Sequence, residues 1–172
     1  GNNLGVAVLG MTHAVENADA LLPLLAAADV LAVGPGLGQG EWGHALYAAA
    51  IACGKPLILD ADGLNLLAED PQVLPQAILT PHPGEAARLL ASSTQVVQRD
   101  RFAAVEALVE KYRCVVVLKG AGTLVAAPGE TLRVIAAGNP GMATGGMGDV
   151  LTGIIASLHA QHLSAFDASS YG

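Results

Sequence analysis

Gly138-Asn139-Pro140-Gly141-Met142-Ala143-Thr144-Gly145-Gly146-Met147-Gly148-Asp149 runs directly into the apolar stretch Val150 to Leu158. Five glycines fall within eleven residues, and the last of them stands at the start of a helical pattern. Glycines let backbone N–H groups converge, and a helix start contributes roughly half a positive charge. The stretch therefore reads as an anion hole for a phosphoryl group. Asp149 can cap that helix start or accept a proton from a hydroxyl attacking the phosphate. The helix itself is predicted from near Asp149 to about His162.

Working outward, short apolar runs alternate with helical patterns. Val30 to Val33 reads as a strand ending in Gly34-Pro35-Gly36-Leu37-Gly38, and Glu41 to Ala52 as a helix closed by Gly54, with Pro56 just beyond. Pro56 to Asp60 is a second strand, Asp62 to Ala68 a short helix, Ala77 to Leu79 a third strand and Gly84 to Leu90 another short helix. One long helix is predicted from Thr94 as N-cap through Tyr112, with Phe102, Val105, Leu108 and Val109 on one face. Cys114 to Leu118 is a further buried strand. Thr123 to Ala126 and Leu132 to Ile135 form a hairpin across Pro128-Gly129. Near-continuous apolar strands followed by helices predict an α/β fold, with a mostly parallel sheet covered by helices on both faces. Ligands bind such sheets beyond the carboxyl ends of the strands. Gly34 to Gly38, Asp60, Thr80 to Glu85 and Lys119 to Thr123 each follow a strand.

The 172 residues suit one domain, and 52% apolar composition suffices for a sizeable core. A net charge of −7 and 3% aromatic residues argue against nucleic acid or an anionic membrane as partner. A small anionic ligand is not excluded, because local amide dipoles can hold it. Cys53 and Cys114 are too few for a disulfide scaffold or a four-ligand zinc site. Cys114 reads as a buried small residue. His13, His44, His159 and His162 lack metal-ligand spacing. No apolar run reaches the roughly 18 residues of a membrane span, and no basic leader precedes one, so a cytoplasmic location is the expectation.

Gly145-Gly146-Met147-Gly148-Asp149-Val150-Leu151-Thr152-Gly153 resembles the anion-hole signature of ribokinase-like enzymes. Gly138-Asn139-Pro140-Gly141-Met142-Ala143 and Thr80-Pro81-His82-Pro83-Gly84-Glu85 narrow the resemblance to the NAD(P)H-hydrate dehydratase family. Val33-Gly34-Pro35-Gly36-Leu37-Gly38 and Leu118-Lys119-Gly120-Ala121-Gly122-Thr123 agree, in the family's order, between about residue 30 and residue 170.

The resemblance implies a three-layer ribokinase-like fold and ADP-dependent dehydration of the S epimer of NADH or NADPH hydrate. ADP would be co-substrate, with ATP also admissible, and Mg2+ would accompany the nucleotide. Asp149 would orient or deprotonate the substrate hydroxyl and Gly148 would donate an amide to phosphate. Lys119, Gly120, Ala121, Gly122 and Thr123 would form the nucleotide loop. Gly34, Gly36, His82 and Asp149 would meet the hydrated nicotinamide nucleotide. Glu85 sits where related kinases carry an acidic residue serving the nucleotide's magnesium, or else favours a helix start electrostatically; no metal ligand is assigned. Asp60 and Asp62 lie close to the same cleft but are not counted in the site, and Asp62 reads as a helix cap.

Family members normally begin with further strands, helices and a Gly-rich segment, and continue past the anion-hole helix. Residues 1–172 are therefore expected to be a single nucleotide-binding domain truncated at both ends. Such a domain could form a homo-oligomer and, in its parent, be fused to an epimerase domain. Two alternatives stay open: a small-molecule kinase of the same fold, and a nucleotide-binding fragment without catalysis.

Overall fold

The computed structural model describes residues 12–136 and 146–172. Within them a first helix, α1 (Ala18–Ala27), is followed by β1 (Leu31–Val33), α2 (Glu41–Ala52), β2 (Leu57–Leu59), α3 (Asp62–Glu69) and β3 (Ala77–Leu79). Three helices come next, α4 (Pro83–Leu89), α5 (Thr94–Arg99) and α6 (Arg101–Tyr112). The chain then forms β4 (Val115–Leu118), β5 (Thr123–Ala126), β6 (Arg133–Ile135), α7 (Met147–Ala160) and α8 (Ala165–Tyr171).

The six strands pair in sequence order. β1 to β4 are parallel, while β5 and β6 run antiparallel as the predicted hairpin. Strand order that steps in one direction, with right-handed crossovers, must place every crossover helix on one face. That is the arrangement seen. Leu59, Leu79, Val116 and Leu118 pack with Leu64, Leu67, Val105, Leu108 and Tyr112 on the face covered by α1 to α6. The alternate strand residues Ile58, Ile78, Val115, Val117 and Val125 point to the opposite face. There they meet Ile155 of α7 and Phe166 and Ala168 of α8. The layers are therefore helix, sheet, helix, as expected.

Three expectations need correction. The stretch from Thr94 to Tyr112 is two helices, because Asp100 leaves helical geometry (φ −143°, ψ 87°) and its Oδ1 accepts the Ala103 amide at 2.9 Å to cap α6. Ser93, not Thr94, caps α5, accepting from the Val96 amide. The break rotates Phe102 outward, where it is 54% exposed, while Val105 and Leu108 stay buried. Asp62 is the first residue of α3 and not its cap; Ala61 holds that position with no side-chain bond. Likewise α7 begins after Gly146, whose φ of +89° is left-handed, so Asp149 is its third residue rather than its cap.

The carboxyl ends of β1 to β4 share one edge of the sheet. Residues 138–145 of the glycine-rich stretch lie outside the described residues, whereas Gly146 to Asp149 lie within them.

Candidate active site

Asp60, immediately after β2, is 2% exposed, and its carboxylate accepts from three groups. Its Oδ1 accepts from Lys119 Nζ at 2.7 Å and from the Ala61 amide at 3.0 Å. Its Oδ2 accepts from Thr152 Oγ1, inside α7, at 3.1 Å. A buried carboxylate is tolerable only when it is paired and hydrogen-bonded, and here it is both. The sequence gives little hint of this role, since the partners lie 59 and 92 positions away.

Lys119, following β4, also has Glu85 Oε2 at 4.0 Å. Gly148 lies over the Asp60–Lys119 pair: a Cβ there would stand 3.3 Å from Asp60 Oδ2 and 3.4 Å from Lys119 Nζ. Glycine at this position therefore brings the start of α7 close to an ammonium group. Asp149, the next residue, is exposed, and among the described residues it takes part in no side-chain capping bond. Its oxygens are thus open to a ligand at the end where the helix dipole is positive.

The loop from Lys119 to Thr123 is held from three directions. The Lys119 amide donates to Pro81 O, and Thr123 Oγ1 donates to Gly120 O. From α6, Arg101 donates through Nη1 to Ala121 O at 2.7 Å and through Nη2 to Leu118 O at 3.1 Å. Gly120 has φ +150°, and a Cβ on it would meet that guanidinium at 3.0 Å. Arg101 is a second residue that sequence reasoning misses, because nothing local ties a helix arginine to a loop 20 residues on.

His82 and Glu85 form a capping box at α4. His82 Nδ1 accepts the Gly84 amide at 2.9 Å, and Glu85 Oε2 accepts the His82 amide at 2.7 Å. His82 Nε2 lies 3.4 Å from Glu85 Oε1, and the imidazole is about half exposed, so its outer edge faces solvent. Glu85 thus takes the helix-start role, one of its two expected roles, and it also faces Lys119.

Gly34 has a steric reason to be glycine, because an added Cβ would fall 1.7 Å from the Asp60 carbonyl oxygen. Gly36 has φ +70° and open space about it. Their loop is anchored by Asp62, which accepts from the Gly38 amide at 2.8 Å and Gln39 Nε2 at 3.0 Å. The Gln39 amide first, and then the Gly38 N–H, hold the Asp62 carboxyl below its ordinary range.

A shallow pocket of about 470 Å³ is lined by Gln39, Asn65, Ala68, Glu69 and Arg88. None of these belongs to the Asp60–Lys119–Thr152 cluster, so buried charge, not concavity, marks the site. Among the described residues no three His, Cys, Asp or Glu side chains converge to cage a metal. Nor is any helix among the described residues long and apolar enough to cross a membrane.

The structure thus joins Lys119, Glu85 and Gly148 directly, ties in His82 through Glu85, and sets the Gly34 backbone against that of Asp60. Gly36 stands apart from this cluster.

Comparison with known proteins gives the same assignment from sequence. The family model for NAD(P)H-hydrate dehydratase matches residues 4–171. A bifunctional NAD(P)H-hydrate repair enzyme of Coxiella burnetii is 54% identical over 162 residues, 94% of this chain and 33% of the relative. An ADP-dependent (S)-NAD(P)H-hydrate dehydratase of Neisseria meningitidis is 46% identical, over 81% of this chain and 50% of its own length. Among solved structures, a ribokinase-like superfamily protein of Enterococcus faecalis superposes with TM-score 0.77 at 29% identity, covering 90% of this chain and 56% of that one. The ADP/ATP-dependent NAD(P)H-hydrate dehydratase of Bacillus subtilis, co-crystallised with ATP and Mg2+, gives TM-score 0.72 at 32% identity, covering 83% of this chain and 51% of that one. The chain therefore spans between about a third and just over half of these relatives. With the family model covering nearly its whole length and the helix–sheet–helix layers matching ribokinase-like structures, this chain belongs to the NAD(P)H-hydrate dehydratase family.

Proposed function

We propose that this chain carries the ADP-dependent dehydration of the S epimer of NAD(P)H hydrate, releasing NAD(P)H, AMP and phosphate. The observation that carries this reading is the approach of Gly148, at the start of α7, to Lys119 Nζ, with Asp149 exposed beside it. Helix-end amides and an ammonium group aimed at one point stabilise negative charge developing on a transferring phosphoryl group. The identity to the Neisseria dehydratase supports ADP as co-substrate and the S epimer as substrate.

In this mechanism Asp149 orients the hydrate's hydroxyl and takes its proton as the hydroxyl oxygen bonds to the terminal phosphorus of ADP. The bond from that phosphorus to the bridging oxygen breaks, and AMP leaves. The carbon–oxygen bond then breaks, carrying the oxygen away in phosphate, while the neighbouring ring carbon loses a proton and the double bond returns. Phosphorylation is needed because hydroxide is a poor leaving group. Positioning and electrostatics supply most of the rate in such transfers.

Gly148 donates its amide to the phosphoryl group. Lys119 sets its charge beside it, and the Gly120, Ala121, Gly122 and Thr123 loop braced by Arg101 lies against the nucleotide. Gly34, Gly36 and the outer edge of His82 meet the nicotinamide nucleotide. Mg2+ would be carried by the nucleotide's phosphates and would neutralise their charge, with Glu85, 4.0 Å from Lys119 Nζ, a carboxylate beside that position. Within a longer protein this unit would work beside an epimerase; the Coxiella relative, of which the chain spans 33%, is named a bifunctional repair enzyme.

The test supplies purified S hydrate with ADP and follows reduced-nicotinamide absorbance together with AMP and phosphate. Equal amounts of all three products are expected. Product formation only with ATP, with a hydroxymethyl acceptor phosphorylated instead, would establish a kinase and reject the dehydratase reading.

A further inference from the structure

We infer that Asp60 is a positioning residue, a buried strut that brings the lysine of the nucleotide loop and the amides of α7 into register on one phosphoryl group. The inference rests on the dehydratase reading for its kinetic consequence but on geometry for its existence. Asp60 Oδ1 holds Lys119 Nζ at 2.7 Å and Oδ2 holds Thr152 Oγ1 at 3.1 Å, so one carboxylate joins β2, β4 and α7. Each oxygen is engaged by a side chain from another element, and the carboxylate is 2% exposed. Asp60 therefore acts through Lys119 and α7 rather than on the substrate.

The carboxylate is itself fixed by unusual backbone. Ala61, the next residue, has φ +45° and ψ −118°, a left-handed geometry that costs an alanine energy. It is stabilised there by three bonds: its amide donates to Asp60 Oδ1, and its carbonyl accepts from the Leu64 and Asn65 amides. The Gly34 backbone lies so near the Asp60 carbonyl that a Cβ there would fall 1.7 Å from its oxygen. A residue serving only to neutralise a partly buried lysine would not need both oxygens and its own backbone constrained. A strut that sets distances between three elements would.

The test compares wild type with Asp60→Asn and Thr152→Val. Acetic anhydride labelling without nucleotide, read by mass spectrometry, reports how firmly Lys119 is held; Lys55 and Lys111 are internal references. ADP affinity is measured by calorimetry, and repair by kcat and KM. Mispositioning without loss of binding groups can cost on the order of 100-fold in rate. We expect Asp60→Asn to lower kcat by about that factor and Thr152→Val by about 10-fold, in the same sense. ADP affinity should be unchanged or tighter in Asp60→Asn, since an unpaired ammonium still attracts phosphate. Lys119 labelling should rise in both variants while Lys55 and Lys111 stay constant.

Unchanged Lys119 labelling, or ADP affinity falling in proportion to kcat, would overturn the strut. Should Asp60→Asn not fold, Thr152→Val alone decides by the same split, because Val keeps the threonine shape. A wild-type chain that binds ADP but repairs no hydrate would reject the functional reading, leaving labelling and affinity to judge the strut.

Discussion

At the scale of single residues, the site depends on side chains whose neighbours are set by tertiary structure. Ala61 shows this most simply. A methyl group at φ +45° is strained by about 1–3 kcal/mol, whereas glycine takes that conformation freely. Ala61→Gly is therefore expected to raise stability by about 1 kcal/mol in urea unfolding, after glycine's added unfolded-state entropy is discounted. A loss of stability would mean that the alanine is unstrained. The same scale shows what sequence can and cannot reveal. Gly148, Lys119 and Gly34 are legible because glycines and a lone lysine after apolar runs are conspicuous. Asp60 is not, since an aspartate after a strand looks ordinary until Lys119 and Thr152 arrive from 59 and 92 positions away. Arg101 is hidden for the same reason.

At the scale of elements, periodicity finds β1 to β6 and α2 to α4 within a residue or two, because short apolar strands and Gly or Pro stops are local signals. It runs α5 and α6 together, because the apolar spacing continues past Asp100 while only a capping bond to Ala103 marks the break. The expected cap at Asp62 fails because that carboxylate is drawn instead to Gly38 and Gln39. Two surface ties between elements carry opposite pH signatures. Asp62 has its carboxyl lowered by Gln39 and then Gly38. Its contribution is complete above the unfolded value of about 3.9 and is lost as pH falls through the lower folded value. His44 is raised, first by the Gly40 carbonyl and then by Glu69. Its tie from α2 to the end of α3 is complete below about 6.5 and is lost as pH rises through the higher folded value. NMR titration should show the Gly38 amide unperturbed down to about pH 4 and the His44 ring titrating above 6.5. Release of Gly38 near neutrality, or His44 titrating below 6.5, would contradict these ties.

At the scale of the whole molecule, the site follows from topology. Strands added in one direction with right-handed crossovers put α1 to α6 on one face and leave the other bare. α7 and α8 must then cover it, with Ile155 and Phe166 seated on Ile58, Ile78 and Val117. That seating brings the start of α7 to the carboxyl edge, where the ends of β2 and β4 carry Asp60 and Lys119. The central claim is that this edge and this helix start together form one phosphoryl-transfer site with Asp149 as its base. It is tested most directly by measuring, side by side, ADP affinity and S-hydrate repair in wild type and Asp149→Asn. Loss of a general base typically costs 10²–10⁴-fold, so the account predicts a fall in repair rate of about 10³-fold with ADP affinity within about 3-fold of wild type. Affinity and rate falling together, or a rate left intact, would contradict it.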